Sequence, residues 1–85
     1  MLECQLYRGF VGLRVVIYPS DHRPAYVHVT SSEAEAVFNL NCPAGPIELR
    51  ESYRFSRGEL SRIEEELGER LVVLCEEWSR IHGGW

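Results

Sequence analysis

Asp21, His22 and Arg23 stand in a row, and His28 follows on the next apolar run. Histidine titrates near neutral pH, so two imidazoles can divide the work of general base and general acid. Asp21 can orient one ring, and the Arg23 guanidinium can hold a phosphate. Tyr18 and Tyr26, on the runs either side, can stack on bases as in sheet-based RNA binders. Read as chemistry, this is a metal-independent ribonuclease with His22, His28 and Asp21 catalytic and Arg23, Tyr18 and Tyr26 on the substrate. A plainer use exists for every one of them. Asp21 can cap the turn, His22 can bond a nearby carbonyl, His28 can pack in a protein interface, and the tyrosines can form a cross-strand pair. A metal would need Asp21 or Glu35 as a third ligand, and the spacing matches no ligand pattern, so neither metal nor cofactor is expected.

Period-two runs must position these groups. Val11, Leu13, Val15 and Ile17 alternate with Gly12, Arg14, Val16 and Tyr18, and Pro19 closes the run. Turn residues fill 20–24, and further strands follow at Tyr26–Thr30, Glu35–Leu40 and Ile47–Arg50. The prolines and glycine of Asn41–Pro46 form the turn between the last two. Residues 1–9 show no clear period. Pleat parity sets a register, with Ile17 opposite Val27, Val15 opposite Val29, Val29 opposite Ala36 and Val27 opposite Phe38. Val16, His28 and Val37 then share a row on the other face, with Tyr18, Tyr26 and Asn39 on one side. With one face under a helix, that row predicts a surface wanting a partner or ligand.

The helix opens at Ser56-Arg57-Gly58-Glu59, a capping box, and ends at Gly83-Gly84. Leu60, Ile63, Leu67, Leu71, Leu74, Trp78 and Ile81 recur at steps of three and four. The fold class is α+β: a small, largely antiparallel sheet of three to four strands over 10–50, packed on one long C-terminal helix over 56–82. One domain spans 1–85. Val15, Ile17, Val27, Val29, Phe38, Leu60, Ile63, Leu67, Leu71 and Leu74 should form its core. A helix of that length spans about 39 Å, against a domain diameter of roughly 30 Å. Either Gly68 folds it back, or another chain covers Trp78 and Ile81; the overhang favours a homodimer through the helix or a hetero-complex. His82 falls in the last turn, where a cation complements the helix dipole.

Composition narrows the function classes. The chain of 85 residues has net charge −4, and all nine basic residues are arginine. A net-acidic chain without a basic run is a poor candidate for tight non-specific nucleic-acid binding. Three cysteines, Cys4, Cys42 and Cys75, are odd in number and widely spaced, which argues against disulfides and zinc. With no signal peptide and no membrane-length apolar run, a cytoplasmic protein with no membrane attachment is expected.

The phrase Ile17-Tyr18-Pro19-Ser20-Asp21-His22-Arg23-Pro24-Ala25-Tyr26-Val27-His28-Val29, then Glu35-Ala36-Val37 and a C-terminal helix, resembles the bacterial domain-of-unknown-function family 4160. Asp21, His22, Pro24 and His28 match its pattern from about Phe10 onward. Ala25 stands where the family usually has a second proline, and Tyr26 where it usually has the first histidine of the strand. The resemblance implies the toxin-like half of a toxin–antitoxin pair, bound by a small cognate protein encoded nearby; RNA as a candidate target comes from the residue chemistry above. The rival is a non-enzymatic protein-binding module, an antitoxin or regulatory partner, using the same sheet face as an interface.

Overall fold

The structure is a computed structural model that describes residues 2–5, as a backbone path, and residues 13–85. Five strands, β1 (Leu2–Gln5), β2 (Arg14–Ile17), β3 (Tyr26–Thr30), β4 (Glu35–Asn39) and β5 (Glu48–Tyr53), precede helices α1 (Arg57–Glu69) and α2 (Leu71–His82). The strands form one sheet in chain order, each antiparallel to its neighbour. The α+β class and the antiparallel sheet followed by C-terminal helix are as the sequence predicts. β1 is an additional strand, drawn from a segment without a legible period. Val11 and Gly12, which open the expected first strand, lie outside the described residues.

The predicted register is present: Val15 pairs with Val29, Val29 with Ala36, Val27 with Phe38, and His28 with both Val16 and Val37. Period two leaves little choice here, because a slip of one residue would turn Val27, Val29 and Phe38 to the wrong face. The β3–β4 turn is tied by Ser31, whose N–H donates to the Ala34 carbonyl at 2.9 Å and whose hydroxyl accepts from the Ala34 N–H at 3.0 Å. Against the inner face lie Ile63, Leu67, Leu74 and Trp78, all buried with Val15, Ile17, Val27, Val29 and Phe38. Leu60 and Leu71 are half-buried at the margin of this core. Leu13, Ala25, Ala36, Leu40, Ile47 and Cys75 complete it.

Four expectations need correction. The helix is not continuous: α1 stops at Glu69, and the Arg70 N–H reaches the Leu67 carbonyl at 3.0 Å, a tightened last turn. Gly68 lies in that turn and lowers helix propensity there. The break resolves the overhang, since the molecule measures 33 × 24 × 23 Å and an unbroken helix of about 39 Å would not fit. Trp78 is fully buried within its own chain and Ile81 half-buried, so the length argument for a homodimer falls away. The outer row is not open either, since Val16 and Val37 are 4% and 8% exposed.

The last correction is covalent. Cys42 and Cys75 form a disulfide, with Cα atoms 5.8 Å apart. The pairing was invisible in a spacing of 33 residues because tertiary structure creates it. Cys42 sits in the β4–β5 turn and Cys75 on the inner side of α2. That turn is fixed by Gly45, whose N–H donates to the Asn41 carbonyl at 2.7 Å. Gly45 has φ 78°, which favours glycine, and a Cβ there would stand 3.0 Å from the Leu71 side chain, which would have to shift.

Candidate functional site

Four of the six residues singled out above meet at the start of β3. The Asp21 N–H donates to the Tyr18 carbonyl at 3.0 Å, which closes the turn after β2. The Asp21 carboxylate then accepts from the Tyr18 N–H at 3.0 Å and from the Tyr26 hydroxyl at 3.0 Å. His28 Nε2 stands 3.4 Å from the same carboxylate. Asp21 is thus a hub, its side chain only 9% exposed and its oxygens turned inward. A nearly buried carboxylate needs such donors, because unpaired burial of its charge is costly.

His28 is enclosed. Tyr18 and Tyr26 contact its ring edge-on, with centroids 4.9 and 5.4 Å away. Nδ1 faces the Glu35 carboxylate at 3.8 Å, beyond hydrogen-bond length, and is buried without a hydrogen bond. Each ring nitrogen therefore looks at a carboxylate. Tyr26 also carries Arg50, whose guanidinium lies 4.8 Å above the ring centroid. Burial, the hydrogen bond to Asp21 and the Asp21 charge raise the Tyr26 pKa above that of an ordinary tyrosine. The His22 N–H and the Arg50 charge pull the other way. The phenol is held protonated at neutral pH, as a donor to Asp21. Its position is the one where the family resemblance puts a histidine, so a hydroxyl takes up the contact with Asp21.

The other two candidates are not brought in. His22 is exposed, and its ring makes no hydrogen bond or ion pair among the described residues. Arg23 reaches away, donating from Nη2 to the His82 carbonyl at 2.9 Å. There it satisfies a carbonyl at the C-terminus of α2, where a cation is favoured. No hydrogen bond or ring contact joins His22 to His28 among the described residues. Among the described residues, no cluster of three or more histidine, cysteine or acidic side chains could hold a metal ion.

Helix α2 supports the site from beneath, through residues that sequence reasoning assigned only to packing and to the dipole. Trp78 lies 5.5 Å from the Tyr26 ring and stacks on His82 at 3.9 Å. His82 Nδ1 is 3.2 Å from the Trp78 carbonyl. The four-residue spacing of Trp78 and His82 on one helix was the available signal. Arg50 over Tyr26 had none, because its partner lies two strands away across a bulge in β5.

An antiparallel sheet backed by a broken helix, with an aspartate hub at the turn into β3, defines a small α+β domain. The family model described as Domain of unknown function (DUF4160) matches residues 12–79, and the chain belongs to that family. No curated protein and no solved structure matches it. No helix among the described residues is long and apolar enough to cross a membrane.

Proposed function

We propose that this chain is a protein-binding module, one half of a bacterial toxin–antitoxin-type pair, whose docking surface is the rim of the Asp21 hub. The observation that carries this reading is His28, with each ring nitrogen facing a carboxylate and tyrosines against its edges. A general base needs a ring nitrogen directed at substrate, within hydrogen-bond reach of the proton it takes. Around His28 stand Tyr18, which is 36% exposed, the half-buried Tyr26 and Arg50. Tyrosine and arginine beside buried hydrophobic groups are the composition of interface hot spots. The partner is a small cognate protein encoded nearby, and the family resemblance is the ground for that choice. In the cytoplasmic setting expected from the sequence the Cys42–Cys75 bond would be reduced to thiols, so the disulfide form belongs to an oxidising environment.

A second reading, a toxin with metal-independent ribonuclease activity, keeps one supporting observation: the exposed His22 adjoins the hub and is free to approach a ligand. One experiment separates the two. The chain is co-purified with the neighbouring gene product, and RNA cleavage is assayed in chelator for wild type, Tyr18→Ala and His28→Ala. The binding module predicts a complex weakened by Tyr18→Ala and no cleavage in any form. Cleavage by wild type that is lost in His28→Ala would replace it with the nuclease.

A further inference from the structure

The opposite end of β3 holds a cavity of about 440 Å³, lined by the β3–β4 turn, the end of β5 and the first turns of α1. Its size falls within the range of small-ligand sites, about 300–1,000 Å³. Two of the lining side chains are arginines from different elements, Arg54 after β5 and Arg62 on α1. Neither guanidinium has an ion-pair partner among the described residues; Arg54 lies 5.2 Å over the ring of its neighbour Tyr53, which leaves its N–H groups available. Of the two lining glutamates, Glu59 already accepts the Ser56 N–H at 2.8 Å in the capping box. Its charge also complements the helix N-terminus, and with Glu33 it matches the two arginines, so anion binding here relies on the free guanidinium N–H groups rather than on a net positive charge. The Ser32 hydroxyl has no hydrogen bond among the described residues, and Phe55 with the edge of Leu13 supplies an apolar wall in front of the buried Ile63.

Arg54 has a further peculiarity. Its φ is 68°, in the left-handed region, which a long side chain adopts only at a cost. Glycine would relax the backbone there, but would remove a guanidinium from the cavity.

We propose that this cavity binds a small phosphate monoester through the guanidinium groups of Arg54 and Arg62, with the ester's organic part against Phe55 and the edge of Leu13. The three terminal oxygens of such a group can accept both guanidinium forks, which the two oxygens of a carboxylate serve less fully. This site is independent of the Asp21 hub. Tyr26 and Thr30 mark the two ends of β3, and the strand separates them by about 13 Å.

The test is a titration of the full chain with phenyl phosphate, followed by amide NMR shifts, with inorganic phosphate and phenol as separate arms. The expected result is saturable shifts over residues 31–34 and 54–63 with phenyl phosphate, weaker ones with inorganic phosphate, and none with phenol. Arg62→Gln should weaken binding about tenfold or more, the scale of a lost charged hydrogen bond. Arg54→Gly is the cleaner variant, because it relieves the left-handed backbone. It should melt at or above the wild-type temperature and still lose about tenfold in affinity. Absence of saturable shifts, shifts confined to the Asp21 end, or wild-type affinity in both variants would overturn the proposal. Loss of binding in these variants leaves the interface at the hub untouched, so the two readings fail separately.

Discussion

The two ends of β3 carry opposite kinds of chemistry. At the Tyr26 end, Asp21, Tyr18, Tyr26 and His28 are conspicuous as residue types, yet their polar atoms face one another. At the Thr30 end nothing in the sequence looks like a motif, yet two arginines line an open cavity. A cluster of reactive residue types marks where a fold knits polar groups together as readily as where it meets a substrate. Which of the two applies depends on where the lone pairs and protons point, and that depends on the turn.

The contrast can be broken most severely at Trp78, which holds the closed end from below. Trp78→Ala should cost about 3–5 kcal/mol, the scale for deleting a large buried aromatic group. Chemical denaturation measures it, and a loss under 1 kcal/mol would mean that the ring is not a main support of Tyr26.

A smaller effect is expected at the hub itself. Asp21→Ala removes the acceptor for the Tyr18 N–H and the Tyr26 hydroxyl, and should destabilise by about 1–3 kcal/mol. Urea melts would show it, and a variant as stable as wild type would make the Asp21 network incidental.

Tyr26→Phe sharpens the same comparison through pH. The folded state holds the phenol proton more tightly than the unfolded chain does, since burial and Asp21 raise its pKa. That stability is fully present below the unfolded value of about 10, and is lost as pH climbs from there through the folded value. Tyr26→Phe should lose about 1 kcal/mol at neutral pH, and should lack this alkaline decline. Parallel melts from pH 8 to 11 that stay parallel for both proteins would contradict the assignment.

The mildest change lies away from both ends. Gly68→Ala meets nothing within 4 Å and sits at a helical backbone, so it should stabilise α1 by about 0.5–1 kcal/mol. If it destabilises instead, the glycine is needed for the break at Arg70.

Much of the frame was legible in the residues. The alternation of Val15, Ile17, Val27, Val29 and Phe38 gave the sheet register, and the capping box gave the start of α1. Period two and side chain–backbone hydrogen bonds are local rules, so a sequence displays them. β1 was missed because its segment shows no alternation, and its place comes from pairing with β2. The helix break was half-legible in Gly68, but its location at Arg70 depends on how far α1 runs before the core ends. At the site, the register put Tyr18 and Tyr26 beside His28, whereas Asp21 was legible only as a residue of the turn between their strands. The outward course of Arg23 was not, because its partner is a carbonyl 59 residues away. The Arg54–Arg62 cavity left no sequence signal, since three separate elements build it.

The bond between Cys42 and Cys75 turns the middle of the chain into a closed loop, with β5 and α1 inside it and Asp21, Tyr26 and His28 outside. A protease that nicks one peptide bond between residues 43 and 74 would therefore release nothing. The product would gain the mass of one water and run as a single species on a denaturing gel until thiol is added, then part into two bands. A nick between Asp21 and Cys42 would free an N-terminal piece at once, so limited digestion with and without reductant maps which half of the molecule was cut.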